Sequence, residues 1–129
     1  MEGVGTGRAV DTRAKIVDAA RAAELRAAHP EMRVVTGYFD VLVASQVRTL
    51  QRLPSEGERL LMAVVVSPAA PILNARARAE LAASLAVIDY VLLVEAAGPD
   101  WLKTAISLEA EHEADRQDLI AHVHRRQTG

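Results

Sequence analysis

The stretch Leu60-Leu61-Met62-Ala63-Val64-Val65-Val66 decides the fold. Seven apolar residues follow one another with no polar residue at alternate positions. A strand with one wet face would alternate. An unbroken run suits a strand buried on both faces, which belongs to a parallel sheet covered by helices. Tyr90-Val91-Leu92-Leu93-Val94 carries the same signal. Met32-Arg33-Val34-Val35-Thr36, closed by Gly37, is a shorter β-branched run and predicts a third strand.

Helical patterns lie between these runs. Asp11 or Thr12 to His29 reads as a helix, capped by Asp11, with Ile16, Ala20, Ala23 and Ala27 on one face. Pro30 ends it. Val43 to Leu53 reads as a second helix, with Val43, Val47 and Leu50 as its apolar face. Pro54-Ser55-Glu56-Gly57 is a loop. Asn74 can cap a third helix from Ala75 to about Ala86, with Leu81, Leu85 and Ile88 as its stripe. A short helix is possible from Gly98-Pro99-Asp100 to Lys103. Ala105-Ile106-Ser107-Leu108 reads as a fourth strand or as helix. Glu111 to about Arg126 reads as a final helix, acidic at its start and basic at its end, as the helix dipole favours. Alternating helices and strands imply βαβ units, hence a single α/β domain with a parallel sheet of four or five strands and helices on both faces.

Composition narrows the function. The chain has 129 residues, enough for one domain spanning 11–129 behind a Gly-rich N-terminal tail, residues 1–10, expected to be flexible. It has no Cys, which excludes disulfides, thiolate metal sites and a thiol nucleophile. Its formal charge of -2 argues against a nucleic-acid partner. The longest apolar run falls far short of the ~20 residues of a membrane span, so a cytoplasmic protein with no membrane contact is expected. Gly3-Val4-Gly5-Thr6-Gly7 follows no strand and so fails the context of a dinucleotide loop. Ser67, Ser84 and Ser107 lack a nucleophile-elbow setting. His112, His122 and His124 stand among Glu111, Glu113, Asp115 and Asp118. His122 and His124 point to opposite sides of a helix, so the segment reads as a solvated, salt-bridged face rather than a metal site. Trp101 and Tyr90 read as packing residues.

Ligands of such sheets sit at the carboxyl ends of the strands, near the topological switch point. The turn there reads Thr36-Gly37-Tyr38-Phe39-Asp40-Val41-Leu42-Val43-Ala44-Ser45-Gln46. It resembles the signature Gly-x-Phe-Asp-x-Leu-His-x-Gly-His of the cytidylyltransferase-like nucleotidyltransferase family. The similarity continues through Leu60–Val66, Arg78-Ala79-Glu80-Leu81 and Val87-Ile88-Asp89-Tyr90-Val91, covering roughly residues 15 to 95. It implies a Rossmann-like sandwich of strand order 3-2-1-4-5. It also implies a nucleotide site at Thr36, Gly37, Tyr38, Phe39, Asp40, Gln46 and Arg78, with Arg78 on the phosphates. Family members often pair, so the resemblance implies a homodimer.

The departures from the signature are specific. Val43 and Gln46 stand where the family has its two histidines, and Ser45 where it has glycine. Those histidines stabilise charge on a phosphate as pyrophosphate leaves. Valine donates no hydrogen bond and glutamine carries no charge. Loss of one such donor costs on the order of 10²–10³ in rate. The loop Ser67-Pro68-Ala69-Ala70-Pro71 has no charge where relatives have a basic stretch. Ile106-Ser107 is only an echo of the family's late Ser/Thr motif. The expectation is a catalytically degenerate domain that binds nucleotide or phosphate weakly, if at all, and acts as a binding or interaction module. The alternative is an active transferase that moves CMP or AMP from CTP or ATP, with Mg²⁺, onto a sugar- or polyol-phosphate.

Overall fold

The computed structural model describes residues 12–52, 60–95 and 98–128. The expected tail 1–10, the Asp11 cap and the loop at 54–57 lie outside them. Five parallel strands form one sheet: β1 (Ile16–Val17), β2 (Arg33–Gly37), β3 (Leu61–Val65), β4 (Tyr90–Leu93) and β5 (Ile106–Ser107). Their order is β1-β4-β3-β2-β5. The helices are α1 (Ala19–Ala28), α2 (Ala44–Arg52), α3 (Ala75–Ala83) and α4 (Glu109–Thr128), with 3-10 turns at Thr12–Lys15 and Asp100–Thr104. The chain is an α/β sandwich of Rossmann-like type.

The unbroken apolar run of β3 serves two cores. Leu61, Ala63 and Val65 join Val35, Leu50, Ala79, Ala82, Ala83, Ile88 and Val91 on the α2–α3 face. Met62 and Val64 join Ala22, Leu25, Met32 and Leu92 on the α1 face. All five β3 residues are fully buried, which explains why the sequence does not alternate.

Reading β2, β3, β4 and β5 as the first to fourth expected strands, their order is the expected 3-2-1-4. The fifth strand is β1, which lies beside β4 at the opposite edge. The sequence reading had placed Ile16 and Val17 inside the first helix. Both are β-branched, and they pair with Val91 and Leu92. Lys15 Nζ pins the preceding turn by donating to the carbonyls of Leu85 (3.1 Å) and Ile88 (2.8 Å). Helix α1 therefore starts later, capped by Asp18, which accepts from the Arg21 N–H at 2.8 Å. Its buried residues are Ala22 and Leu25, while Ala20, Ala23 and Ala27 are exposed.

Other faces also differ from the periodic reading. In α2 the buried pair is Gln46 and Leu50, and Val43 is exposed just before the helix. In α3, Asn74 caps as expected, accepting from Ala77 N–H at 2.7 Å, but Arg78, Ala79, Ala82 and Ala83 are the buried side. Small alanines let α3 lie close on the sheet. The segment at 105–108 holds the short strand β5, Ile106–Ser107, and α4 begins at Glu109.

Candidate functional site

From β2 the strands run outward through β3 to β4, and the chain then crosses back to β5 on the other side of β2, so the switch point lies between the carboxyl ends of β2 and β5. A cleft of about 340 Å³ opens there, lined by Thr36, Val66, Pro99, Lys103, Ser107 and Glu109 among others. Its innermost ionisable group is Glu109. The Glu109 carboxylate accepts from the Thr36 hydroxyl at 2.9 Å and from the Ser107 hydroxyl at 3.2 Å. Ser107 Oγ in turn accepts from the Glu109 N–H at 3.3 Å. A carboxylate from this chain thus sits at the start of α4, where the helix dipole would favour an anion.

The turn after β2 is held by His112. Its Nδ1 accepts from the N–H groups of Tyr38 (3.0 Å) and Phe39 (3.3 Å). An acceptor Nδ1 fixes the neutral tautomer with its proton on Nε2. Burial holds the His112 pKa at about 4, against the pull of Asp115 and Glu109. Phe39 takes a left-handed φ of 51° and meets the imidazole edge-on at 4.8 Å. Gly37 permits this approach: a Cβ there would lie 2.5 Å from His112 Cε1.

Asp40 is a structural junction. One carboxylate oxygen accepts from the Leu73 N–H at 2.7 Å. The other accepts from Ile72 N–H at 2.7 Å and from Arg116 Nε at 2.8 Å. Arg116 also donates to the Ala70 carbonyl and to Glu113. Burial alone would raise the Asp40 pKa, but the two amides and the guanidinium more than offset it and hold it below the ordinary value. The turn after β2, the loop after β3 and α4 are joined at this one carboxylate.

Arg78 makes a second junction and is 1 % exposed. Its guanidinium donates to the Val66 carbonyl (2.7 Å), Ser67 Oγ (3.0 Å), the Leu73 carbonyl (3.2 Å) and the Tyr38 carbonyl (3.4 Å). It pairs with neither Glu80 nor Asp89. Glu80 accepts from Arg76, and Asp89 accepts from the Leu61 N–H. Gln46 is buried and donates to Asp115 at 2.7 Å. Val43 and Ser45 are exposed at the start of α2.

The structure therefore brings Thr36, Gly37, Tyr38, Phe39, Asp40 and Arg78 together at the carboxyl end of β2, held by bonds within the chain. Field effects agree with the bonding. The Tyr38 phenol is raised above its ordinary pKa, by burial first and then by Glu109 and Glu113. The rim of the turn is electronegative.

Sequence reasoning missed His112 and Arg116, which it placed on a solvated helix face. They are 1 % and 2 % exposed. The available signal was the spacing of Leu108, His112 and Arg116, four apart on one side of α4. His122 is exposed, as that reading expects. No described helix is long and apolar enough to cross a membrane. Compared with known proteins, the chain matches no protein-family model and no curated protein.

Proposed function

We propose that this chain is a catalytically inactive, nucleotidyltransferase-like scaffold that acts as a self-associating interaction module. One observation carries the reading. The cationic and imidazole groups gathered around the turn after β2, Arg78, Arg116 and His112, are committed to carbonyls, carboxylates and amides of the chain itself. A triphosphate would have to displace them, and it would meet Glu109 and Glu113 as it did so. Like charges in a partly desolvated cleft oppose binding by several kcal/mol.

The interaction half of the proposal rests on α4. Leu119, Ile120 and Val123, with Ile72 beside them, are 41–48 % exposed and form an apolar hollow. The stripe continues the buried side of α4 past the body of the domain. Asp115 and Asp118 precede it, and Arg125 and Arg126 follow it. Two copies of α4 packed antiparallel would set the acidic end of each beside the basic end of the other. A two-fold interface of this kind is self-complementary.

Calorimetric titration with ATP and CTP, each with Mg²⁺, tests the first half. The expected result is no binding tighter than about 100 μM, or about -5.5 kcal/mol. Tighter binding followed by turnover on a sugar- or polyol-phosphate would replace this reading with that of an active transferase. Analytical ultracentrifugation tests the second half. A dimer is expected, and Val123→Glu is expected to give a monomer with an unchanged circular dichroism spectrum. A monomeric parent chain would end the dimer proposal.

A further inference from the structure

The switch-point cleft holds one strong acceptor that the chain leaves unused. Thr36 and Ser107 are partners in the register of β2 and β5, so their side chains share a face of the sheet. Both hydroxyls donate to the same carboxylate oxygen of Glu109, Oε2, at 2.9 and 3.2 Å. Oε1 has no hydrogen-bond partner among the described residues and is open to solvent. Thr36 is 6 % exposed, so it fixes the carboxylate from inside the fold while the second oxygen stays free. All three residues line the cleft.

The rest of the lining selects what can use that oxygen. Alternation along β2 and β3 puts Thr36 and Val66 on the α1 face with Val34 and Val64, and Leu102 packs on the same cluster. Val66, Leu102, Pro99 and Ala105 give the cleft largely aliphatic walls. Asp100 and Lys103 stand three apart in the 3-10 turn, where side chains eclipse, and both are exposed. Their opposite charges at the mouth largely offset each other, which leaves Glu109 to set the charge of the cleft. The start of α4 brings about half a positive charge, less than the full negative charge of the carboxylate. The negative field reaches the Tyr38 phenol, which is raised by burial and then by Glu109 and Glu113.

A divalent metal ion is a poor match, because one free carboxylate oxygen gives it too few ligands. The described residues contain no group of three or more His, Asp or Glu side chains that could hold one. A bare ammonium ion would leave the aliphatic walls unused. A cation with N–H donors on a short carbon chain uses both, through a charged hydrogen bond to Oε1 and apolar contact beside it.

We propose that the switch-point cleft binds a primary aliphatic ammonium group, anchored on Glu109 Oε1 with its carbon chain along Val66, Pro99 and Leu102. The proposal rests in part on the preceding reading, in which Glu109 opposes a triphosphate. The two are nevertheless tested apart, since amine titration does not report on ATP or CTP, and their titration does not report on amines.

Calorimetric titration at low salt uses n-butylammonium as the probe. Ammonium ion carries charge without a chain, tetramethylammonium carries charge without N–H donors, and 1-butanol carries a chain without charge. n-Butylammonium is expected to bind with a Kd of about 1 mM or tighter, and each control more weakly. Nα-acetyl-lysine methylamide presents the same group as a protein side chain would. Tighter binding than n-butylammonium assigns the ammonium to a partner's lysine, and weaker binding assigns it to a free amine. Glu109→Gln keeps an acceptor for both hydroxyls but loses the charge, and is expected to weaken binding about tenfold or more. Lys103→Glu, at an exposed position, is expected to tighten it about threefold and gives a second reading if Glu109→Gln folds poorly. Three results would overturn the proposal. One is no saturable heat with n-butylammonium up to about 10 mM. Another is 1-butanol or tetramethylammonium binding as tightly as n-butylammonium. The third is equal affinity in the parent and both variants.

Discussion

On one side of the sheet α2, α3 and α4 cover the core, and Arg78 and Arg116 are buried beneath them. On the other side α1 and the 3-10 turn at Trp101 cover the core, and the exposed Arg26 lies over Trp101 beside a hollow open to solvent. The same residue type does different work on the two sides. A guanidinium that is buried must satisfy its donors inside the chain, because an unpaired buried charge is costly. It then becomes a clamp for loops and has nothing left for a ligand. A guanidinium at an open hollow keeps its donors for something outside. At the turn where the resemblance to nucleotidyltransferases would place phosphate-binding charge, the guanidinium groups are already engaged by the chain itself.

The largest expected effect tests the clamp directly. Arg116→Ala leaves Asp40 buried without its cation and is expected to cost about 3–5 kcal/mol in urea denaturation. Arg26→Ala, at the open hollow, should cost less than about 1 kcal/mol. Similar costs for the two variants would erase the distinction between the faces.

Acid provides the next test. The folded pKa of His112, about 4, lies below its free value of 6.5, so the unfolded chain takes up the proton first as pH falls. Stability is then full above about pH 6.5 and drains away down through pH 4, by roughly 3 kcal/mol in all. Asp40, also lowered, adds loss below its own free value of 3.8. His112→Gln should flatten the slope between pH 6.5 and 4 while leaving the more acidic part. An unchanged slope would mean that the imidazole is not the titrating group.

Gly37→Ala is expected to cost about 1–3 kcal/mol, because the added methyl meets the His112 ring. In a His112→Ala background the same change should cost clearly less, and a double-mutant cycle reads the difference. Additive costs would sever the link between Gly37 and the imidazole.

The smallest effect compares two helix caps. Asp18→Ala and Asn74→Ala should each cost about 1 kcal/mol. Only α1 helps cover the Trp101 side, so Asp18→Ala should red-shift tryptophan emission before global unfolding, and Asn74→Ala should not. A shift in both variants would mean that the two faces open together.

Much of the sheet was legible. Unbroken apolar runs located β3 and β4, and a shorter β-branched run located β2, each within a residue or two at each end. β1 was not legible, because two β-branched residues beside a helix cannot announce a strand whose partners, Val91 and Leu92, come so much later in the chain. Helix faces were read from apolar residues, which failed where polar ones are buried. Gln46, Arg78, His112 and Arg116 each occupy a core-facing position and bond to other parts of the chain. Periodicity in apolar residues has no term for that. The positions expected at the carboxyl end of β2 do lie together there, but their bonding partners come from segments distant in sequence. No spacing rule connects Asp40 to Ile72 and Arg116.

The β1 strand also bears on the order of assembly. Its partner β4 is made long after it, so during synthesis the first strand must wait, unpaired, until most of the chain has emerged. The α1 face cannot close before then, because α1 is tethered directly behind β1. The opposite face has its helices interleaved with β2, β3 and β4 and can begin to pack as each is made. Pairings that are distant along the chain form slowly. A ribosome stalled short of β4 would therefore hold a chain whose first strand has nothing to join.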